Sequence, residues 1–297
     1  MTKIGAVINS ESGTLSPPEA DKRIEEIKRH LESRVSPGCL AIVSGDRVEQ
    51  EIIRLKKQGI HVLVIGGGDG TVSTGAKHIG DTDIFLAVVG LGTRNNFARD
   101  LGIPLEPVKA ISLLDRMQVS RIDLGEVNGH LFVNNATIGI YPKIVEKREE
   151  KIRKQGWKKW PAHMAAALTV LRWFPRMQLA VEDGEHSVHC VTPFLFVGNN
   201  EYEGEGLSEP MRSSLKDGKL WFCMARISGL WPLVRMAWHL SVRGIQGTDN
   251  LEAHLVTGVT VYSRRRHITI AVDGENRVLA TPLHFKIRKK SLQVIVP

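Results

Sequence analysis

The stretch His-Val-Leu-Val-Ile-Gly-Gly-Gly-Asp-Gly-Thr-Val-Ser-Thr, residues 61–74, decides how the first part of this chain folds. The apolar residues Val62–Ile65 are typical of a strand buried on both faces, as in a parallel sheet. The glycines that follow permit unusual backbone angles and let amides approach a ligand closely. Amides at a helix N-terminus bind anions. The stretch therefore predicts a strand, a glycine-rich turn and a phosphate site.

Strand-like and helix-like segments alternate over roughly the first 115 residues, a pattern typical of a parallel α/β sheet. Ser16, Pro17 and Glu19 have the spacing of a helix N-cap with a capping box. Ligands of such sheets bind at the carboxyl ends of the strands. We therefore expect the two glycine-rich loops, Gly66–Gly70 and Gly90–Thr93, to form one wall for a polyphosphate. The predicted strands are Lys3–Ile8, Cys39–Val43, Val62–Ile65 and Ile84–Val89, with helices following Ser16 and Val48.

Beyond Arg121 the pattern becomes mainly β. We predict an α/β domain at residues 1–120 and a β-sandwich domain at residues 121–281, and we expect residues 282–297 to pack back on the first. Helical insertions are predicted at Lys143–Trp173 and Leu230–Val242. The strand-like runs are His130–Asn134, Met177–Val181, Val188–Val197, Leu220–Ile227, Leu255–Tyr262, His267–Val272, His284–Ile287 and Leu292–Val296.

Charge, apolar runs and cysteine spacing limit the classes of protein and partner that the sequence allows. The formal charge of +8 favours phosphates, nucleic acid or an acidic membrane surface without choosing among them. No run approaches the ~20 apolar residues that span a bilayer, and the apolar part of residues 1–9 is too short to predict a signal peptide. Cys39, Cys190 and Cys223 fit neither a disulfide framework nor zinc spacing, so we interpret them as core thiols. We expect a soluble, cytoplasmic protein.

The glycine loop lacks both common nucleotide-binding spacings. No Gly-Lys-Ser/Thr follows, as in a Walker A loop, and the dinucleotide spacing G-x-G-x-x-G is absent. Asp69 is the distinctive residue, and a carboxylate beside phosphates acts chiefly through a bridging Mg²⁺. The alternative is that Asp69 is an ordinary helix N-cap.

Gly66–Thr71 resembles the glycine-rich motif of the diacylglycerol kinase catalytic family, which includes sphingosine, ceramide and bacterial lipid kinases. A shorter G-G-D-G also occurs in NAD kinases and 6-phosphofructokinases, which share the nucleotide-domain design. Further segments resemble the lipid kinases in the same order along nearly the whole chain, most closely the soluble bacterial ones. They are Asn9 with Ser12-Gly13, Leu91–Pro104, Arg121–Gly125 followed by Asn134 and Gly139, Leu215–Leu220 and Val272–Glu275.

The resemblance implies a nucleotide-binding α/β domain of the NAD kinase and phosphofructokinase design, followed by a β sandwich that binds the lipid. It implies transfer of the ATP γ-phosphoryl group to a hydroxyl of diacylglycerol or a similar lipid, with Asp273 as general base. Asp69 would hold Mg·ATP, Glu275 would assist the metal or nucleotide, and Asp217 would bind a structural Mg²⁺. The implied nucleotide-binding residues are Asn9, Gly67, Gly68, Asp69, Gly70, Thr71, Gly92, Thr93 and Asn95.

Several positions depart from the family pattern or allow a plainer interpretation. Asp273-Gly274 alone would be a hairpin turn, and Asp217-Gly218 an ordinary turn. Departures that bear on nucleotide or metal binding are Ser10, Arg94, Asn96, Lys216 and Trp221.

The implied partner is a lipid drawn from the membrane. Basic residues mixed with Trp and Leu at Lys143–Trp173 suit peripheral contact with an anionic inner membrane face, although a solvated helix packed on the sandwich is the alternative. We expect no nucleic acid partner, and the resemblance allows a homodimer.

Two rival functions stay open. One is an NAD kinase-like enzyme with a soluble substrate. The other is a nucleotide- or lipid-binding regulator without catalysis, suggested by Arg94 and Asn96 but opposed by the presence of Asp69, Asp273 and Glu275.

Overall fold

The computed structural model describes residues 2–13, 17–139, 177–182, 187–203, 211–212, 214–225 and 251–297. The chain divides into two compact units, Met1–Leu124 with Arg288–Pro297, and Gly125–Ile287. The predicted cap at Ser16 and the predicted helical insertions at 143–173 and 230–242 lie outside the described residues. Within the described part, no helix is long and apolar enough to cross a membrane.

The first unit is a parallel sheet with helices. Its strands run in the order β2-β1-β3-β4, all parallel, and the end of a long C-terminal strand pairs parallel with β4. The predicted parallel α/β unit is confirmed. Its elements are β1 (Ile4–Asn9), α1 (Pro17–Glu32), β2 (Leu40–Val43), α2 (Val48–Lys57), β3 (Val62–Gly67), α3 (Asp69–Ile79), β4 (Phe85–Gly90), α4 (Asn96–Asp100) and α5 (Pro107–Ser112), with 3₁₀ turns at Gly45–Arg47 and Leu113–Asp115.

Strand β3 is buried at every position and is longer than predicted. It continues past Ile65 through Gly66 and Gly67, which pair with Val89 and Gly90 of β4. A Cβ added to Gly66 would lie 2.5 Å from Cδ1 of Ile8. Gly66 and Gly67 are therefore part of the sheet itself. Larger residues would not fit at these positions, because their side chains would collide with neighbouring side chains.

The second unit is built from antiparallel strands. Six of them form a sheet in the order β14-β13-β10-β7-β16-β17, and a second set runs β18-β15-β8-β9. The strands are β5 (Val119–Val127), β6 (His130–Phe132), β7 (Asn135–Gly139), β8 (Met177–Glu182), β9 (Ser187–Thr192), β10 (Phe194–Asn199), β11 (Tyr202–Glu203), β12 (Met211–Arg212), β13 (Leu220–Ala225), β14 (Leu251–Val256), β15 (Gly258–Ser263), β16 (His267–Val272), β17 (Glu275–Ala280) and β18 (Leu283–Ile295). Strands β5 and β18 each run across the boundary between the units.

Alternate residues of both sheets bury their side chains in one core. Strand β7 contributes Ala136 and Ile138, and β15 contributes Val259 and Val261. This period of two is the pattern of strands with one buried face. The predicted β sandwich is confirmed.

Two of the predicted strand runs are each divided between two strands in the structure. Val188–Val197 is two strands, β9 and β10, which belong to different sheets and are divided at Pro193. Proline has no amide hydrogen to give to a ladder, so it ends the first strand. Leu255–Tyr262 is likewise divided between β14 and β15.

The two C-terminal runs, in contrast, join into the single strand β18 across a charged stretch. Within that stretch Lys290 has a positive φ of 55°, and its amide donates to the carboxylate of Asp123 at 2.8 Å. Asp123 is only 1% exposed. The buried Asp123 carboxylate thus holds the backbone of β18 at Lys290, within the charged stretch that separates the two apolar runs.

Cys39 and Cys223 are buried, and Cys190 is half-buried. Burial raises the pKa of the Cys223 thiol to about 12. The thiolate is the nucleophile in alkylation, and in an unfolded chain a cysteine has a pKa of about 8.5.

We therefore expect iodoacetamide at pH 8 to leave Cys223 unmodified in the folded protein and to modify it in urea. Peptide mass spectrometry measures the modified fraction. Equal rates in the two conditions would show that the thiol is not protected by burial.

Candidate active site

Three loops meet at the carboxyl edge of the parallel sheet. Gly67 of β3 pairs with Gly90 of β4, so the loops after these strands leave the sheet at the same level. A Cβ on Gly92 would lie 2.6 Å from the Cα of Gly68. A Cβ on Gly13, in the loop after β1, would lie 2.8 Å from the carbonyl oxygen of Leu91. The loops touch through their backbones, which only glycine permits.

Helix α3 begins directly in the middle loop. Gly68 is its N-cap residue in an extended conformation, and the first helical hydrogen bond runs from the Val72 amide to the Gly68 carbonyl at 3.0 Å. The amides of Asp69, Gly70 and Thr71 precede that bond and lie at the open N-terminal end of the helix. Such an end carries a partial positive charge and binds phosphate.

The Asp69 carboxylate has a role that differs from the N-cap alternative. Gly68 is the cap of α3, while Oδ1 of Asp69 accepts the Phe97 amide at 3.2 Å. Asp69 therefore ties the β3 loop to the first turn of α4. Its second oxygen, Oδ2, accepts no hydrogen bond from the described residues, and the side chain is half-buried.

Asn9 and Thr71 form a pair across the loops after β1 and β3. Nδ2 of Asn9 donates to Oγ1 of Thr71 at 3.1 Å, and its Oδ1 accepts the Glu11 amide at 3.0 Å. Asn9 thus orients the Thr71 hydroxyl at the start of α3.

Asn95 uses its side chain inside its own loop. Its Oδ1 accepts the Gly92 amide and its Nδ2 donates to the Gly92 carbonyl, each at 2.9 Å. Its φ of 52° is left-handed, a conformation that asparagine tolerates better than most residues. Asn95 therefore shapes the third loop, and the exposed Thr93 and Arg94 lie at its tip.

Asp273 lies in the second unit, in the two-residue turn between β16 and β17. Asp273 and Gly274 have φ values of 50° and 85°, so the hairpin alternative describes the backbone correctly. The carboxylate does more than turn the chain, because it accepts three consecutive amides. Oδ2 accepts Val133 at 3.0 Å, and Oδ1 accepts Asn134 at 2.8 Å and Asn135 at 3.2 Å.

The other predicted acids of this unit are exposed. Glu275 forms an ion pair with Arg277 at 3.1 Å, and Asp217 lies in the loop before β13. In the described ranges, no group of three or more His, Cys, Asp or Glu residues could hold a metal ion. Any metal here would need ligands from a substrate or water beside a protein carboxylate.

Sequence reasoning missed a set of buried polar residues in the second unit. Asn199 and Asn200 are fully buried, and Arg212 is 4% exposed. Arg212 and Asn199 donate to the segment that binds Asp273. The burial of Arg212 could not be predicted from the sequence, because an isolated arginine is usually on the protein surface.

Known proteins are similar to this chain in sequence and in fold. Residues 3–127 match the sequence model of the diacylglycerol kinase catalytic domain. The chain is 30% identical over 286 residues to the "probable lipid kinase YegS-like" protein of Pseudomonas fluorescens (strain Pf-5). This alignment covers 92% of this chain and 91% of that protein. A protein of the same name from Pseudomonas aeruginosa (strain PAO1) is 50% identical over 99 residues, and this alignment spans only 32% of either chain.

A solved diacylglycerol kinase from Bacillus anthracis strain Sterne has the same fold. Its TM-score is 0.69 at 16% identity, with 99% of this chain and 97% of that chain covered. Relatives that match the chain in sequence are named as probable lipid kinases. The chain belongs to the diacylglycerol kinase catalytic domain family.

The side chain of Asn95 offers a test of how the third loop is built. We expect Asn95→Ala to lower the free energy of unfolding by about 2 kcal/mol, because it removes two hydrogen bonds and places alanine at a left-handed φ. Asn95→Gly should cost about half as much, since glycine accepts that φ without strain. Urea unfolding measures both, with the neighbouring Asn96→Ala as control. Equal stability of Asn95→Ala and Asn96→Ala would contradict this role.

Proposed function

We propose that the protein transfers the γ-phosphoryl group of Mg·ATP to a hydroxyl of a lipid alcohol, such as diacylglycerol, at the inner membrane face. The observation that carries the proposal is the convergence of three glycine-dependent loops around Asp69 and the N-terminus of α3, in a chain of the lipid kinase family. The names of its relatives support a lipid acceptor. The net charge of +8 supports contact with an anionic membrane.

The residues of the first unit fit a bound triphosphate. Gly68 and Gly92 leave backbone, not side chain, at the surface of the loops, so amides can approach phosphate oxygens closely. The amides of Gly70 and Thr71 add the positive end of α3. Asn95 acts by shaping its loop, while the exposed Thr93 is available as a contact.

Asp69 fits the role of a Mg²⁺ ligand. Magnesium sites commonly combine one or two carboxylates with substrate phosphates and waters, so a single acid at this edge is sufficient. When bound, the metal neutralises charge on the transferring phosphoryl group. The protein's part is to hold Asp69 in place, which the bond from the Phe97 amide does. Asp217, exposed on its loop, is proposed as the ligand of a second, structural Mg²⁺.

Asp273 is proposed as the general base for the lipid hydroxyl. A base must be held within hydrogen-bond reach of the proton that it removes. The three amides from Val133–Asn135 fix the orientation of the Asp273 carboxylate, which favours this role over that of a plain turn residue. Glu275 on the same hairpin is proposed to assist the metal or nucleotide.

The proposal predicts Mg²⁺-dependent labelling of a lipid. The purified chain is incubated with labelled ATP and detergent micelles containing diacylglycerol, monoacylglycerol, ceramide or a sphingoid base, with NAD as a soluble acceptor. We expect a phosphorylated lipid by mass spectrometry. Asp69→Asn should lower kcat at least 100-fold, about 2.7 kcal/mol, because it keeps an acceptor for the Phe97 amide but removes the charge.

The control for this assay is Asp21→Asn, an exposed acid on α1, which should retain full activity. Transfer to NAD instead of lipid would favour the soluble-substrate enzyme. Nucleotide binding without transfer to any acceptor would favour the catalytically silent regulator.

A second prediction tests the nucleotide site by changing the distance between the loops that contain Gly68 and Gly92. Gly92→Ala forces a Cβ to within 2.6 Å of Gly68 Cα, so the two loops must separate. We expect a roughly tenfold weaker Kd for a non-hydrolysable Mg·ATP analogue by calorimetry, about 1.4 kcal/mol. Gly75→Ala is the matched control, because the three atoms nearest to its Cβ all belong to the Ile65 side chain, at 3.3 Å or more. An unchanged Kd for folded Gly92→Ala would place the nucleotide elsewhere.

A further inference from the structure

The segment Val133–Asn135 is bound on both of its polar sides. Its amides donate to the Asp273 carboxylate, and its Val133 carbonyl accepts from two buried side chains of the same unit. Those side chains belong to Asn199, which is fully buried, and Arg212, which is 4% exposed. A buried guanidinium that donates to a backbone carbonyl and a side-chain oxygen is costly to desolvate. Its position therefore calls for an explanation.

The peptide group between Val133 and Asn134 connects the arginine to the aspartate. The carbonyl oxygen of Val133 accepts Nη1 of Arg212 at 2.6 Å and Nδ2 of Asn199 at 2.9 Å. The amide of the same peptide, on Asn134, donates to Oδ1 of Asp273 at 2.8 Å. One planar peptide thus lies between a cation and a carboxylate, with its dipole aligned to both.

The next peptide repeats the arrangement. The carbonyl oxygen of Asn134 accepts the Tyr202 hydroxyl at 2.9 Å and the Asn199 amide at 2.8 Å. The amide of this peptide, on Asn135, donates to Oδ1 of Asp273 at 3.2 Å. Both peptide groups that bind Oδ1 are therefore polarised from their carbonyl side.

We propose that Arg212 and Tyr202, with Asn199, are positioning residues for Asp273 and act on it through these two peptides. Hydrogen bonds in a chain strengthen one another, so donors at the carbonyls make the amides stronger donors to the carboxylate. A charged donor has the larger effect. Arg212 also donates from Nη2 to Oδ1 of Asn134 at 3.0 Å, which holds the segment in register. The inference rests on the proposed function, in which Asp273 is the base.

Aromatic packing holds the tyrosine in place. The Tyr202 ring meets Phe196 edge-on with centroids 5.5 Å apart and Trp221 at 5.9 Å. The Arg212 guanidinium carbon lies 5.7 Å from the Tyr202 centroid. Trp221 is one of the positions that depart from the family pattern. In this chain that departure supplies one wall of the cluster that fixes Tyr202.

The kinetic test uses variants that keep the packing. Tyr202→Phe removes only the hydroxyl, and Arg212→Lys keeps the charge but loses the fork that reaches two acceptors. We expect each to lower kcat roughly tenfold with the KM for ATP unchanged, because a displaced base affects the chemical step. Tyr262→Phe is the matched control, since it removes a hydroxyl on an exposed face of β15. Folded variants with the parent kcat would overturn the inference.

A second measurement does not depend on activity. Amide proton shifts move downfield as the hydrogen bond strengthens, so we expect Arg212→Lys to move the Asn134 amide upfield and Tyr202→Phe to move the Asn135 amide upfield in ¹H–¹⁵N spectra. Asp273→Asn should move both amides, and Tyr262→Phe neither. Unmoved amides in the Arg212 and Tyr202 variants would refute the coupling.

The two measurements separate this inference from the proposed function. If the parent phosphorylates no lipid, the proposed function fails, and the amide shifts alone decide whether Arg212 and Tyr202 act on Asp273. If the parent phosphorylates lipid while the variants keep both kcat and amide shifts, the positioning role fails and the function stands.

Discussion

The contact of Gly68 with Gly92 is the constraint on which the first unit's site depends. A single added methyl would lie 2.6 Å from the opposing backbone, well inside van der Waals contact. The loop after β4 can come this close to the loop after β3 only if position 92 lacks a side chain, whereas a Cβ on Gly68 would lie 3.5 Å from the Gly92 Cα, an ordinary contact. Once they are close, the Asp69 carboxylate of one loop reaches the Phe97 amide that begins the helix of the other. The site is thus made rigid by the same glycines that open it to a ligand.

The second unit reaches rigidity by the opposite means. There, side chains hold the backbone of Val133–Asn135 by hydrogen bonds to both its amides and its carbonyls. Asp273 is tied on one side of that segment, and Asn199 and Arg212 on the other. Buried polar groups are stable only when their hydrogen bonds are satisfied, so such a network has few alternative arrangements. A carboxylate held in this way keeps one orientation, which is what a base or a metal ligand requires.

Much of this organisation could be predicted from the sequence. The strands β3 and β4 lie within two residues of the predicted bounds, because short, fully apolar runs between glycines mark buried parallel strands. The run Val188–Val197 was wrong as one strand, since an apolar stretch does not reveal which sheet it joins and Pro193 divides it between two. The roles of the site acids were assigned by resemblance, and those assignments stay predictions.

The sequence by itself determined the α/β unit, the β sandwich and the glycine-rich loop around Asp69, because each produces a recognisable pattern among residues that are close together along the chain. Tertiary structure decided what those residues touch. Asp273 binds the amide of Asn134, 139 positions away, and Asp69 binds that of Phe97, 28 positions away. Hydrogen-bond partners depend on which strands and loops cross. That crossing is settled by the packing of whole sheets, and local patterns do not contain it.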